Sequence, residues 1–268
     1  FKPSYGAVSR YGLVDLSMSL DQIGPFAKKI NDAALVLSVI SGKDEKDTKT
    51  IDIEKIELSK VGKITVGIIK VKDVDYNIEK LVDNKVKELK DKLKWNTKEV
   101  AIENIDLAVQ TYHLLVWTEF FSATRRFDGR KYGKKIEDVA GKEVLRRILG
   151  GSEIAKAEFA GRYYHKALQV KEIIKQEFEK AFNGKDKVDC LIMPTVAILP
   201  WRFGEKTDTE EIYAVDSLVI PANLAEVCAI SIPIGKIDNK PVGMQVICAK
   251  GSEGKMLSIA KEIEKLSV

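Results

Sequence analysis

The residues able to do chemistry are few and scattered. His113 and His165 lie in helix-patterned stretches with no Cys or carboxylate at metal-ligand spacing, so each reads as a packed or surface histidine. Cys190, Cys228 and Cys248 form no Cys-x-x-Cys pair. Cys228 follows an apolar stretch and reads as a small core residue, not a thiolate nucleophile. Serines are dense near the start (Ser4, Ser9, Ser17, Ser19), yet no nucleophile elbow with a His and Asp accompanies them. Neither Gly-x-Gly-x-x-Gly nor a Walker loop is present to cradle a phosphate. What stands out is a set of polar, Gly-punctuated runs: Phe1-Lys2-Pro3-Ser4-Tyr5-Gly6, then Val8 to Val14, then Ser19 to Pro25. Such runs predict a tightly routed, ordered loop.

Regular elements must carry that loop, and the apolar pattern locates them. Ala34, Leu35, Leu37, Val39 and Ile40 predict a helix, with Asn31 as N-cap and Gly42 just past its end. Residues 43–60 are charged and unpatterned and read as an exposed connection. Ile64 to Ile69 is a short β-branched run, as in a strand buried on both faces. Asn77 to Lys94 places Ile78, Leu81, Val82, Val86, Leu89 and Leu93 at helical spacing, and a second strand is expected at 98–102. This β-α-β order argues for an α/β fold. Helices are expected over 105–126, 136–150 and 152–183, with Gly150-Gly151 as the break between the last two. Asp189 to Thr195 predicts a buried strand stopped by Pro194. Residues 229–233 and 242–247 predict a hairpin turning at Asp238-Asn239, and a last helix is expected from Glu253 to about Leu266.

Composition excludes several classes. The chain has 268 residues, 45% of them apolar, and a mean hydropathy of −0.13, as expected of a globular protein with its own core. No apolar run approaches the ~20 residues of a membrane span. Three scattered cysteines make no disulfide framework and favour a reducing, cytoplasmic compartment. Charged residues make up 31% of the chain, an excess of Lys and Glu that leans towards a thermophile. A net charge of +4 gives no concentrated basic patch for nucleic acid. The start at Phe1-Lys2-Pro3 has no cap or turn and reads as the middle of a fold.

The N-terminal runs resemble the segment just after the catalytic signature of the amidase signature family, and most of all its branch of A subunits from tRNA-dependent amidotransferases. The resemblance continues through Asp32-Ala33-Ala34, Phe127-Asp128-Gly129 with Tyr132-Gly133, and Gly161-Arg162-Tyr163-Tyr164. It extends to Tyr213-Ala214-x-Asp216, Pro221-Ala222-Asn223-Leu224-Ala225 and Pro241-Val242-Gly243-Met244-Gln245. It implies an α/β fold with a mixed central sheet flanked by helices, residues 1–268 forming a single domain that is the C-terminal portion of an amidase domain.

The function it implies is hydrolysis of glutamine to supply ammonia for converting Glu-tRNA(Gln) to Gln-tRNA(Gln), or Asp-tRNA(Asn) to Asn-tRNA(Asn). The alternatives are a hydrolase of free amides and a non-catalytic scaffold. In the family two serines and a lysine do the chemistry; none is matched in these residues, so no catalytic residue is assigned and the chain alone is expected to be inactive. The residues expected to hold glutamine are Tyr132, Asp216 for the α-ammonium, and Lys171 where the family has an arginine for the α-carboxylate. Lysine keeps the charge and loses the bidentate fork. Glu226-Val227-Cys228 stands where the family usually has Gly-Leu-Pro, and Cys248 where it usually has Gly. The resemblance further implies the B and C subunits of an amidotransferase as partners, with tRNA held mainly by B and ATP and Mg used by B. It implies no cofactor or metal in this chain, and no membrane.

Overall fold

The computed structural model of the protein describes residues 1–131, 133–159, 161–202, 205, 213 and 215–266. The N-terminal runs form an ordered loop tied to the body by isolated bridges, Lys2 to Ala229 and Val8 to Ser41. Helix α1 (Ile30–Ile40) follows. Its first turn starts after Lys29, not Asn31, and no side chain caps it; the Ile30 N–H donates instead to Glu264 Oε1 at 3.0 Å. Residues 43–60 form no regular element but are not simply exposed. Asp47 and Thr50 are buried, and Ile53, Ile56 and Leu58 pack against the core.

The β-α-β unit forms as its pattern requires. β1 (Thr65–Ile68) runs parallel to β2 (Asn96–Glu99), joined by α2 (Tyr76–Leu93). The Asp75 carboxylate caps α2 by accepting from the Asn77 and Ile78 N–H groups. β2 sits a little earlier than the 98–102 expected from composition, at the sheet edge.

Next come α3 (Ala108–Thr124), the single turn α4 (Ile136–Val139), α5 (Lys142–Ile154) and α6 (Arg162–Asn183). Here the expected break at Gly150-Gly151 is wrong. α5 runs through both glycines because α3 lies against them. A Cβ on Gly150 would come within 2.5 Å of the Trp117 ring, and one on Gly151 within 2.6 Å of Phe121 Cβ and into the Trp117 carbonyl. Glycine here permits close helix packing and does not end a helix. The long helix starts ten residues later than expected, after Gly161 at φ +72°.

β3 (Cys190–Pro194) is wholly buried. After the short α7 (Ile220–Leu224), β4 (Cys228–Ile237) and β5 (Lys240–Cys248) form the expected hairpin. Asp238 and Asn239 both take positive φ, +49° and +62°, as a two-residue primed turn requires. α8 (Glu253–Glu264) follows. The five strands lie in the order β2-β1-β3-β5-β4, the first three parallel and the last two antiparallel. This is the mixed α/β sheet expected from the sequence.

The pleat sorts the core into two layers. Along β3, Cys190 and Ile192 face α1, α2 and α8, while Leu191 and Met193 face α3, α6 and α7. All three cysteines are buried; burial pushes the thiols of Cys190 and Cys228 up to about 12, so neither is a ready thiolate. Among the described residues no helix is long and apolar enough to cross a membrane.

Candidate active site

Two of these helices, α3 and α6, face the N-terminal loop across a cavity of about 510 Å³. The loop contributes Tyr5, Arg10, Met18 and Ser19. The helices contribute Glu119, Tyr164 and Lys171, and the turn before β4 contributes Glu226.

The loop has no secondary structure of its own, so side chains must hold its backbone. Glu119 on α3 does much of this. Its carboxylate accepts from the Ser17 hydroxyl (2.8 Å), the Ser19 N–H (3.0 Å), the Ser19 hydroxyl (2.7 Å) and the Tyr164 hydroxyl (2.9 Å). The Tyr164 phenol is pushed up to about 12, first by burial and then by the Glu119 carboxylate beside it. Ser17 and Ser19 therefore spend their hydroxyls as donors to a carboxylate, in keeping with a structural part for both.

Arg10 secures the other wall. Its guanidinium donates in a fork to Asp47, with Nε to Oδ2 and Nη2 to Oδ1 both at 2.9 Å. It also donates to the Tyr5 hydroxyl at 2.9 Å, and Tyr5 in turn donates to the Met18 carbonyl at 2.7 Å. The Arg10 hydrogen bonds hold the Asp47 carboxyl far below the usual range. The segment 43–60 thus has a task that composition did not reveal: it supplies Asp47 to brace the cavity.

Lys171 is buried on α6. Its Nζ donates to the Ser19 carbonyl and to Glu226 Oε1, both at 3.3 Å. Glu226 Oε2 takes Lys175 at 3.4 Å and Lys250 at 2.8 Å. Burial works to raise the Glu226 pKa, but Lys250, Lys171 and Lys175 outweigh it and set it at about 2. The group is a fixed carboxylate with three lysines around it.

Of the described residues expected to hold substrate, Lys171 lines this cavity and Asp216 does not. Asp216 opens a 3-10 turn (Asp216–Leu218) and is exposed as a residue. The protein packed beside its carboxyl desolvates it and raises its pKa, with Arg147 pulling the other way. Tyr132 lies outside the described residues. His113 is packed as expected, stacked on Trp117 at 5.3 Å and tilted against Tyr213 at 4.4 Å. Sequence reasoning missed Glu119, Arg10 and Asp47 as parts of the site. It singled out Glu226 only as a departure from pattern. The one available signal was the density of backbone-bending residues in the loop, which demands such anchors.

With this geometry the chain can be set beside known proteins. The family model described as Amidase matches residues 1–257. A curated relative, the A subunit of the glutamyl-tRNA(Gln) amidotransferase of Methanocaldococcus jannaschii, is 44% identical over 267 residues, covering 99% of this chain and 61% of the relative. Its counterpart in Methanothermobacter thermautotrophicus is 43% identical over 271 residues, covering 99% of this chain and 59% of that one. The crystal structure of the A subunit of glutamyl-tRNA(Gln) amidotransferase from Thermotoga maritima superposes with a TM-score of 0.81 at 34% identity, covering 99% of this chain and 57% of that one. A 6-aminohexanoate cyclic dimer hydrolase superposes at 0.84 with 21% identity, over 99% of this chain and 59% of that one, and shares the fold. The chain thus spans about three fifths of the length of the relatives it matches. By the extent of the family match and the agreement in fold, this chain belongs to the amidase family.

Proposed function

We propose that the chain is the substrate-holding part of the A subunit of a tRNA-dependent amidotransferase, which hydrolyses glutamine and passes the ammonia on to convert Glu-tRNA(Gln) to Gln-tRNA(Gln). The observation that carries this is the buried ammonium of Lys171 at the wall of a braced cavity. A buried, fixed cation suits the α-carboxylate of an amino acid; a hydrolase of simple amides has no use for one. The names of the relatives at 40–44% identity agree with the reading.

In this proposal Lys171 holds the α-carboxylate, Asp216 the α-ammonium, and Tyr132 contacts the glutamine. Their work is positioning, which turns a weak encounter into a productive geometry for attack on the side-chain amide. The attack needs an activated hydroxyl and an oxyanion site. No residue of these 268 is matched to the family's two serines and lysine, and these residues by themselves are expected to hydrolyse no amide. The B subunit would activate the tRNA-bound glutamate with ATP and Mg, hold most of the tRNA, and be braced by the C subunit. No cofactor is assigned to the present chain, and the cytoplasm is its proposed location.

The test is ammonia release from L-glutamine by the full-length A subunit, with and without its B and C partners. Glutaminase activity that rises with the partners supports the reading. Strong hydrolysis of a hydrophobic amide, indifferent to the partners, would refute it.

A further inference from the structure

Two departures from the resembled pattern, 55 residues apart in sequence, touch in the fold: Lys171 Nζ lies 3.3 Å from Glu226 Oε1. We propose that Glu226 is a positioning residue for Lys171, fixing the direction of its ammonium and so restoring the aim that lysine lacks where a relative would use an arginine fork. This rests on the assignment of Lys171 to the substrate carboxylate.

Three observations carry it. Glu226 has φ +62°, in the left-handed region where any residue with a Cβ is disfavoured and glycine is not. A side chain that persists at such a position has interactions that outweigh the backbone strain. Those interactions are specific. Lys250 and Lys175 grip Oε2 at 2.8 and 3.4 Å, which stops the carboxylate from swinging and leaves Oε1 for Lys171.

The second acceptor on Lys171 is equally fixed. It is the Ser19 carbonyl, and Ser19 is pinned to Glu119 by both its N–H and its hydroxyl. An ammonium has three donors. Two are spent on these acceptors, and the third meets no hydrogen-bond acceptor among the described residues. The Lys171 ammonium also sits 5.9 Å from the centre of the Tyr5 ring, which walls the cavity. A lone lysine is a point charge on a flexible stem; here the two acceptors turn it into a directed donor.

A directed donor discriminates between enantiomers, so the test is the ratio of kcat/KM for L- over D-glutamine in the complete amidotransferase. Because both substrates see the same folded fraction, the ratio is insensitive to lost stability. Glu226→Gln is expected to lower it about tenfold, the scale of one charge-assisted hydrogen bond. The double variant Glu226→Gly with Lys171→Arg is expected to restore it, since the guanidinium carries its own direction. An unchanged ratio in Glu226→Gln, or no recovery in the double variant, would overturn the proposal. If the wild type turns over no glutamine, the assignment of function fails separately. The positioning itself is then read from crystal structures of Glu226→Gln: Lys171 Nζ leaving the Ser19 carbonyl supports it, and Nζ unmoved overturns it.

Discussion

Glu119 holds Ser19, a hundred residues earlier in the chain, by both its hydroxyl at 2.7 Å and its backbone N–H at 3.0 Å. A loop without regular structure is thereby fixed to a helix. Glu119→Ala strands the donors of Ser17, Ser19 and Tyr164, and should cost about 2–4 kcal/mol, the scale of several bonds to one charged acceptor. Urea unfolding checks the magnitude. Amide exchange at Ser19 checks the cause: it should accelerate far more than exchange in the buried strand β3. A uniform change across the molecule would show that Glu119 has no special hold on the loop.

Arg10 and Asp47 form a nearly buried fork, with side chains only 11% and 9% exposed. Arg10→Met leaves a buried carboxylate without its partner and should cost about 3–5 kcal/mol. Asp47→Leu in the same molecule removes that orphan and should recover much of the loss. Unfolding free energies of the two single variants and the double one decide it. If the two costs simply add, the pair is not coupled.

The Glu226 carboxyl, at about 2, lies below its ordinary value of 4.5. The unfolded state therefore binds the proton first as pH falls. The stability that Glu226 contributes is complete above about pH 5 and is lost between there and about pH 2. Wild type should lose more stability than Glu226→Gln over that window, and the two slopes should differ by up to one proton. Parallel curves from about pH 5 to about pH 2 would mean that the carboxylate gains nothing from its lysines.

Gly151→Ala sets two effects against each other. Alanine improves helix propensity by about 1 kcal/mol. Its Cβ would run into the Trp117 carbonyl and lie 2.6 Å from Phe121 Cβ, an overpacking that costs about 1–3 kcal/mol or more. Because one obstacle is backbone and cannot rotate away, packing should win and the melting temperature should fall. A rise would mean that α3 and α5 are free to separate.

Those glycines also show what a sequence hides. The β-α-β unit and the Asp238-Asn239 turn were legible because period and turn chemistry are local. Gly150-Gly151 looked like a break because its partner, Trp117, is more than thirty residues away, and only tertiary contact says that glycine is there for closeness. The site was less legible still. Lys171 could be named from resemblance, but its partners Ser19 and Glu226 meet it only through the packing of the loop on α6. Asp47 sat in a stretch whose charge suggested solvent, and its burial depends on Arg10, 37 residues earlier.

The central claim is that Lys171 receives the α-carboxylate of glutamine, and its most direct measurement is KM against kcat for L-glutamine in Lys171→Met. Methionine keeps most of the buried stem, and Lys175 and Lys250 still serve Glu226. Loss of one charge-assisted contact should raise KM about thirtyfold while kcat stays within a few-fold of wild type. A KM unchanged in Lys171→Met would contradict the account.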